Sequence, residues 1–260
     1  MKSWSFPLAF LLAVASVVGC GRVGQGAPLP EPVAPPATVP LPQPDQPAQQ
    51  GDAQAGLALL QRMRQRLQSA QGVEAMVRSF SEGRFKAGKP VQELRRSTYR
   101  TRLLWQKPAR MRGDVLDTDN WLVSGASMVT TDGRNVKVKA SGFLGLFPIN
   151  VKVDDDLLAS NRNHKFGDLA PDAMFGRLMG PSAAWWVVGR QTLGGRPMDV
   201  IEVRGAPPVD AAIRREILAV DPGDLTVGFL RMYDATHMVV DYTFQTFRWD
   251  PRLSSDAFRL

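Results

Sequence analysis

The chain has 260 residues, 32 Lys and Arg against 25 Asp and Glu, a net charge of +7 and a single cysteine. One cysteine excludes an intramolecular disulfide. The basic residues are scattered and form no aromatic-basic motif of a nucleic-acid module, so the charge reads as a solvated surface that suits anionic lipid or acidic polymers.

In chain order, Lys2 is the lone positive charge ahead of an apolar run from Phe6 to Val18, interrupted by Pro7 and Ser16. The run is short for a bilayer span, and its flanks predict a cleaved signal over residues 1–19. It closes on Val17-Val18-Gly19-Cys20, which resembles a lipobox. That resemblance implies acylation of the Cys20 thiol and cleavage just before it. The competing expectation is a free cysteine behind an ordinary signal. Gly21 does not resemble the aspartate retention signal, which directs the expectation to the periplasmic face of the outer membrane.

Residues 20–51 form a tether. Nine prolines fall between Pro28 and Pro47 with almost no charge, a composition that builds no core and favours extended polyproline II. Residues 52–260 remain as one domain large enough for a substantial core.

The domain is predicted to open with a helix. Asp52 is its N-cap, Leu57, Leu60, Met63 and Leu67 form its apolar stripe, and Gly72 is its stop. Alternation then takes over. Val136, Val138 and Ala140 alternate with lysines, Ile149, Val151 and Val153 with polar residues, and Val240, Tyr242 and Phe244 with Asp241, Thr243 and Gln245. Further strands are expected near 74–86, 95–107, 110–116, 121–131, 185–193, 198–205, 213–220 and 225–234. Turn chemistry at Thr131-Asp132-Gly133, Leu193-Gly194-Gly195 and Asp221-Pro222-Gly223-Asp224 separates several of them. About eleven short-spaced strands predict a mainly β, α+β fold, a meander or barrel. A short helix from Pro171 to Met179 interrupts the rhythm, with Met174, Phe175 and Leu178 on one face.

In the order of its motifs the domain resembles the LolA/LolB superfamily of periplasmic lipoprotein carriers and receptors. The resemblance lies in Gly72-Val73-Glu74-Ala75 after the opening helix and in Leu104-Trp105-Gln106-Lys107-Pro108-Ala109-Arg110-Met111-Arg112. It continues through Leu122-Val123-Ser124, Thr131-Asp132-Gly133-Arg134, Ala219-Val220-Asp221-Pro222, Arg231-Met232-Tyr233-Asp234 and the stretch from Phe244 to Leu260. It implies an unclosed antiparallel β-barrel with helices as a lid over an apolar cavity for acyl chains, and the Cys20 anchor tilts it toward the lipidated receptor branch. The partners implied are lipid or lipoprotein acyl chains, the membrane and a soluble periplasmic carrier protein.

On this reading the cavity wall is Trp105, Met111, Val115, Trp121, Val123, Val136 and Val138, with Met174, Phe175 and Leu178 on the lid. In family carriers an arginine before the strand proline holds the lid; here that place is Lys107, with Arg110 and Arg112 as substitutes. Phe143, Leu144, Leu146 and Phe147 are the expected transfer loop, against the alternative that they fold into the core. No cofactor and no catalytic residue is expected, since His164 and His237 stand isolated in sequence and Asp154-Asp155-Asp156 lacks the pattern of a calcium loop. The alternative function is a structural or assembly lipoprotein of the envelope with a filled interior.

Overall fold

The computed structural model describes residues 52–119, 123–141 and 148–260. Helix α1 (Ala53–Ser69) leads into β1 (Gly72–Lys86), β2 (Lys89–Gln106), β3 (Arg110–Thr118), β4 (Ser127–Thr130), β5 (Asn135–Lys139) and β6 (Ile149–Lys152). Helix α2 (Pro171–Leu178) precedes β7 (Ala184–Leu193), β8 (Arg196–Arg204), β9 (Arg215–Val220), β10 (Val227–Tyr233) and β11 (Met238–Trp249).

The eleven strands form one sheet in the order β6-β5-β4-β3-β2-β1-β11-β10-β9-β8-β7. Two antiparallel meanders, β1 to β6 and β7 to β11, are joined where β1 pairs with β11. Strands β6 and β7 stay unpaired to each other and form the two edges, so the sheet is unclosed as expected. Side chains alternate between its faces. Val73, Ala75 and Val77 of β1, Trp105 of β2, Ile201 and Val203 of β8, Leu218 of β9, Leu230 of β10 and Phe244 of β11 belong to one core that includes residues of both helices. We call the side facing the helices the inner face.

Helix α1 starts where the sequence places it. The Asp52 carboxylate accepts from the Ala55 amide at 2.8 Å, which satisfies one of the free donors of the first turn. The Asp52 backbone also exchanges two hydrogen bonds with Val187 of β7, at 2.9 and 3.2 Å. Two details differ from the sequence reading. The buried face is Gly56, Leu59, Leu60 and Met63, while Leu57 is 51 % exposed. The cause is Gly56: a Cβ there would lie 1.9 Å from the Trp185 carbonyl oxygen, so backbone contact with β7 sets the helix rotation. Leu57, about 100° further round, is turned to solvent. The helix ends at Ala70, whose amide bonds Arg66 O, before Gly72. Gly72 instead begins β1, where a Cβ would come within 2.8 Å of Trp105 O; it permits close strand approach rather than capping a helix.

Candidate functional site: the helix-covered inner face

Helix α2 begins with Pro171 at its first turn, where the missing N–H costs no hydrogen bond. Met174, Phe175 and Leu178 then point into the inner face together, and Phe175 and Leu178 are fully buried. The Phe175 ring meets Phe247 edge-on at 6.3 Å, and Phe247 stacks in the same manner on Phe244 at 5.5 Å and Trp249 at 5.0 Å. The indole of the buried Trp185 donates to Leu178 O at 2.9 Å, which satisfies both the ring N–H and one carbonyl of the last helical turn.

The sequence-predicted wall residues divide into two groups. Trp105 joins Met174, Phe175 and Leu178 beneath the two helices. Met111 and Val136 join Leu103 and Phe166 in a second cluster, with Val138, Val151 and Leu169 packed beside them. Val115 is buried and Val123 half-buried, with the Ala126 amide bonding Val123 O at 3.1 Å. Cys20, Trp121, Phe143, Leu144, Leu146 and Phe147 lie outside the described residues. Phe247, Trp185 and Trp249 were not foreseen as wall residues. The bulge between Phe244 and Thr246 puts Phe244 and Phe247 on one face three residues apart, so strict alternation does not find them.

The space these side chains leave is small where it is described. A cleft of about 60 Å³ opens beside α2 between Met174, Arg177, Leu169, Met232, His164 and Tyr242. The protein's own helices fill the adjoining inner face. Tyr242 stays neutral there, because burial pushes its hydroxyl up to about 12.

Cationic side chains clip the helix ends to their surroundings. Lys107 Nζ donates to the carbonyls of Leu67 and Gln68 at 3.0 and 2.6 Å, satisfying the C-terminal end of α1 where cations are favoured. Its charge also acts on Asp172 of α2, whose pKa burial raises. Arg64 of α1 donates to Met179 O at 2.7 Å and Gly180 O at 2.8 Å, just past the end of α2. Arg177 of α2 forms a two-pronged pair with the buried Glu216 of β9 and donates to Pro207 O at 2.8 Å. Of the other expected latch residues, Arg112 pairs with Asp114 and holds the C-terminal tail through Ala257 O and Arg259 O. Arg110 is exposed. The direct side-chain bonds at α2 and its C-terminal end thus come from Arg64, Arg177 and Trp185, which sequence reading did not single out for this role.

The two histidines are not isolated in space. His164 Nε2 lies 3.1 Å from Asp210 Oδ2, and Arg162 grips the same carboxylate at 2.8 and 3.0 Å. Burial pushes the Asp210 pKa up, but bonds from His164 and Arg162 outweigh it and hold the group below the usual carboxylate range. His237 Nε2 meets Glu82, whose bonds to Arg96 and His237 likewise lower its pKa. The Ser160 hydroxyl accepts from the Arg162 and His164 amides rather than from the imidazole, so the cluster ties loops together and lacks the nucleophile–base bond of a hydrolytic triad. Among the described residues no group of His, Cys, Asp and Glu is placed to hold a metal ion.

No protein-family model matches the chain, and neither does any curated protein. Solved structures superpose loosely over most of it. An uncharacterized conserved protein from Thermus thermophilus is 11% identical with a TM-score of 0.48, covering 79% of this chain and 93% of its own. The lipoprotein LppX from Mycobacterium tuberculosis is 15% identical with a TM-score of 0.43, covering 77% of this chain and 99% of its own. A LolA superfamily protein from Nitrosomonas europaea is 12% identical with a TM-score of 0.38, covering 79% and 97%. At such identities and scores nothing functional is transferred from them.

Proposed function

We propose that this chain is a lipid-anchored envelope protein that binds acyl chains, of lipids or of lipidated proteins, on its inner face, and takes them up when α2 withdraws. On this reading residues 1–19 are a signal, Cys20 carries the lipid, residues 20–51 are the tether, and the anchor holds the protein at the periplasmic face of the outer membrane. The observation that carries the reading is the way α2 is held. Its buried side chains Met174, Phe175 and Leu178 are apolar, whereas its directional bonds sit at its C-terminal end on Arg64, Arg177 and Trp185. A helix held so can part from the sheet by breaking a few clips, and a chain of methylenes can replace its side chains at about 0.8 kcal/mol for each one buried. The motif order that resembles the LolA/LolB superfamily supports the same function. The lid latch proposed from sequence at Lys107 is reassigned in part to Arg64 and Arg177.

A second reading has its own support. The inner face is filled by the protein's side chains, as a structural or assembly lipoprotein would have it. Titration with a fluorescent fatty acid separates the two. The carrier reading expects binding by the wild type, tighter binding by Arg177→Met, because less of the affinity is spent on opening, and loss of binding in a still-folded Phe175→Asp. Failure of both wild type and Arg177→Met to bind would transfer the role to the structural reading.

A further inference from the structure

The outer face of the sheet gathers exposed cations on one half. Strand alternation turns Arg78 of β1, Arg100 and Arg102 of β2, Lys137 and Lys139 of β5 and Lys152 of β6 away from the helices, and all six are exposed. Only Arg102 finds a carboxylate, Glu74 at 2.8 Å. The other five make no ion pair among the described residues. On the opposite half of the same face each named cation has a carboxylate: Arg204 and Arg215 flank Glu202, and Arg231 pairs with Asp241. The cations of the outer face that lack a carboxylate are therefore gathered on the β1–β6 half.

One juxtaposition there runs against stability. Arg78 and Arg100 are directly opposed across β1 and β2, and like charges in that position destabilise a sheet. Asp117 is the register partner of Arg100 on β3 but is not within ion-pairing distance. Both arginines border a shallow depression that also includes Tyr99, Asp117 and Asp119, the last of which accepts from the Thr98 amide. The cations spread over four strands across β1 to β6, about 24 Å at the usual strand spacing, instead of following a groove. The C-terminal tail packs on Leu104 and Val129 of the same face, between the arginines of β1 and β2 and the lysines of β5 and β6; a broad plane of negative charge meets both groups, and a single acidic segment meets one.

From this arrangement we infer that the β1–β6 half of the outer face docks against an anionic membrane surface through lipid headgroups. The face lies on the other side of the sheet from α2, so docking leaves the lid side free. The inference is independent of acyl binding.

Flotation of the chain without its signal, residues 20–260 with Cys20→Ser, on phosphatidylcholine vesicles with and without phosphatidylglycerol tests it. Wild type is expected to prefer the anionic vesicles, with the preference collapsing in high salt. Arg78→Gln with Arg100→Gln is expected to lower anionic partitioning on the order of 30-fold. The control double variant, Arg62→Gln with Arg190→Gln, removes equal charge elsewhere and is expected to keep the preference. Equal loss in both double variants, no preference in wild type, or binding to a soluble polyanion without binding to anionic vesicles would each overturn the proposal. Unchanged melting temperatures show that a loss is not unfolding, as the substituted residues are exposed.

Discussion

At the scale of single residues, several positions are fixed by contacts that allow little substitution. Gly56 is one, since any side chain there runs into the backbone of β7. Gly56→Ala is expected to cost about 1–3 kcal/mol, read as a fall in the denaturant midpoint, because α1 must lift from the sheet to admit the methyl group. Hydrogen-bonded carboxylates supply a pH signature. Asp210, Glu82, Asp224, Asp234 and Asp250 are all held below their ordinary pKa values. A depressed carboxylate contributes stability above its unfolded pKa and loses it as pH falls through the folded one. Thermal unfolding should therefore vary little from these groups between about pH 7 and 5 and should move steadily lower beneath about pH 4. A melting temperature unchanged down to pH 2 would contradict the paired loops at Asp210 and Glu82.

At the scale of elements, the C-terminal part of α2 is held by a pair that makes a two-variant prediction. Arg177 and Glu216 are both largely buried, so removing one leaves an uncompensated charge. Arg177→Met is expected to cost about 3–5 kcal/mol, and Arg177→Met with Glu216→Leu to recover most of it. Chemical denaturation of the single and double variants checks this; no recovery would mean that the two residues are not coupled. Elements were also where the sequence was most legible. Alternation at Val136–Ala140, the cap at Asp52 and the proline at Pro171 each mark a local preference that the chain keeps when folded. The rotation of α1 was not legible, because it depends on Gly56 touching the backbone of a strand some 130 residues away. The bonds on α2 were hidden for the same reason: Arg64, Arg177 and Glu216 carry no local pattern, and only the fold brings them together. Of the wall residues, those on α2 were marked by helical spacing, whereas the aromatic row Phe244, Phe247 and Trp249 straddles a bulge in β11 that breaks strict alternation.

At the scale of the whole molecule, one sheet presents two different surfaces. Its inner face is apolar and covered by helices whose ends are clipped by charged side chains. Its outer face carries a buried apolar cluster on β8 to β10 and another where the C-terminal tail covers Leu104 and Val129, with paired charges on one half and cations without a carboxylate on the other. The same alternation produces both, since each strand sends one set of side chains inward and the other outward. The proposed uptake requires α2 to leave an inner face that it now fills, at the expense of the contacts around Phe175. Hydrogen–deuterium exchange of the α2 amides, with and without a saturating long-chain fatty acid, tests this most directly. Displacement of the helix by an acyl chain predicts faster exchange over residues 171–179 while β1, β10 and β11 stay protected; bound fatty acid with α2 exchange unchanged, or no fatty acid bound at all, would contradict it.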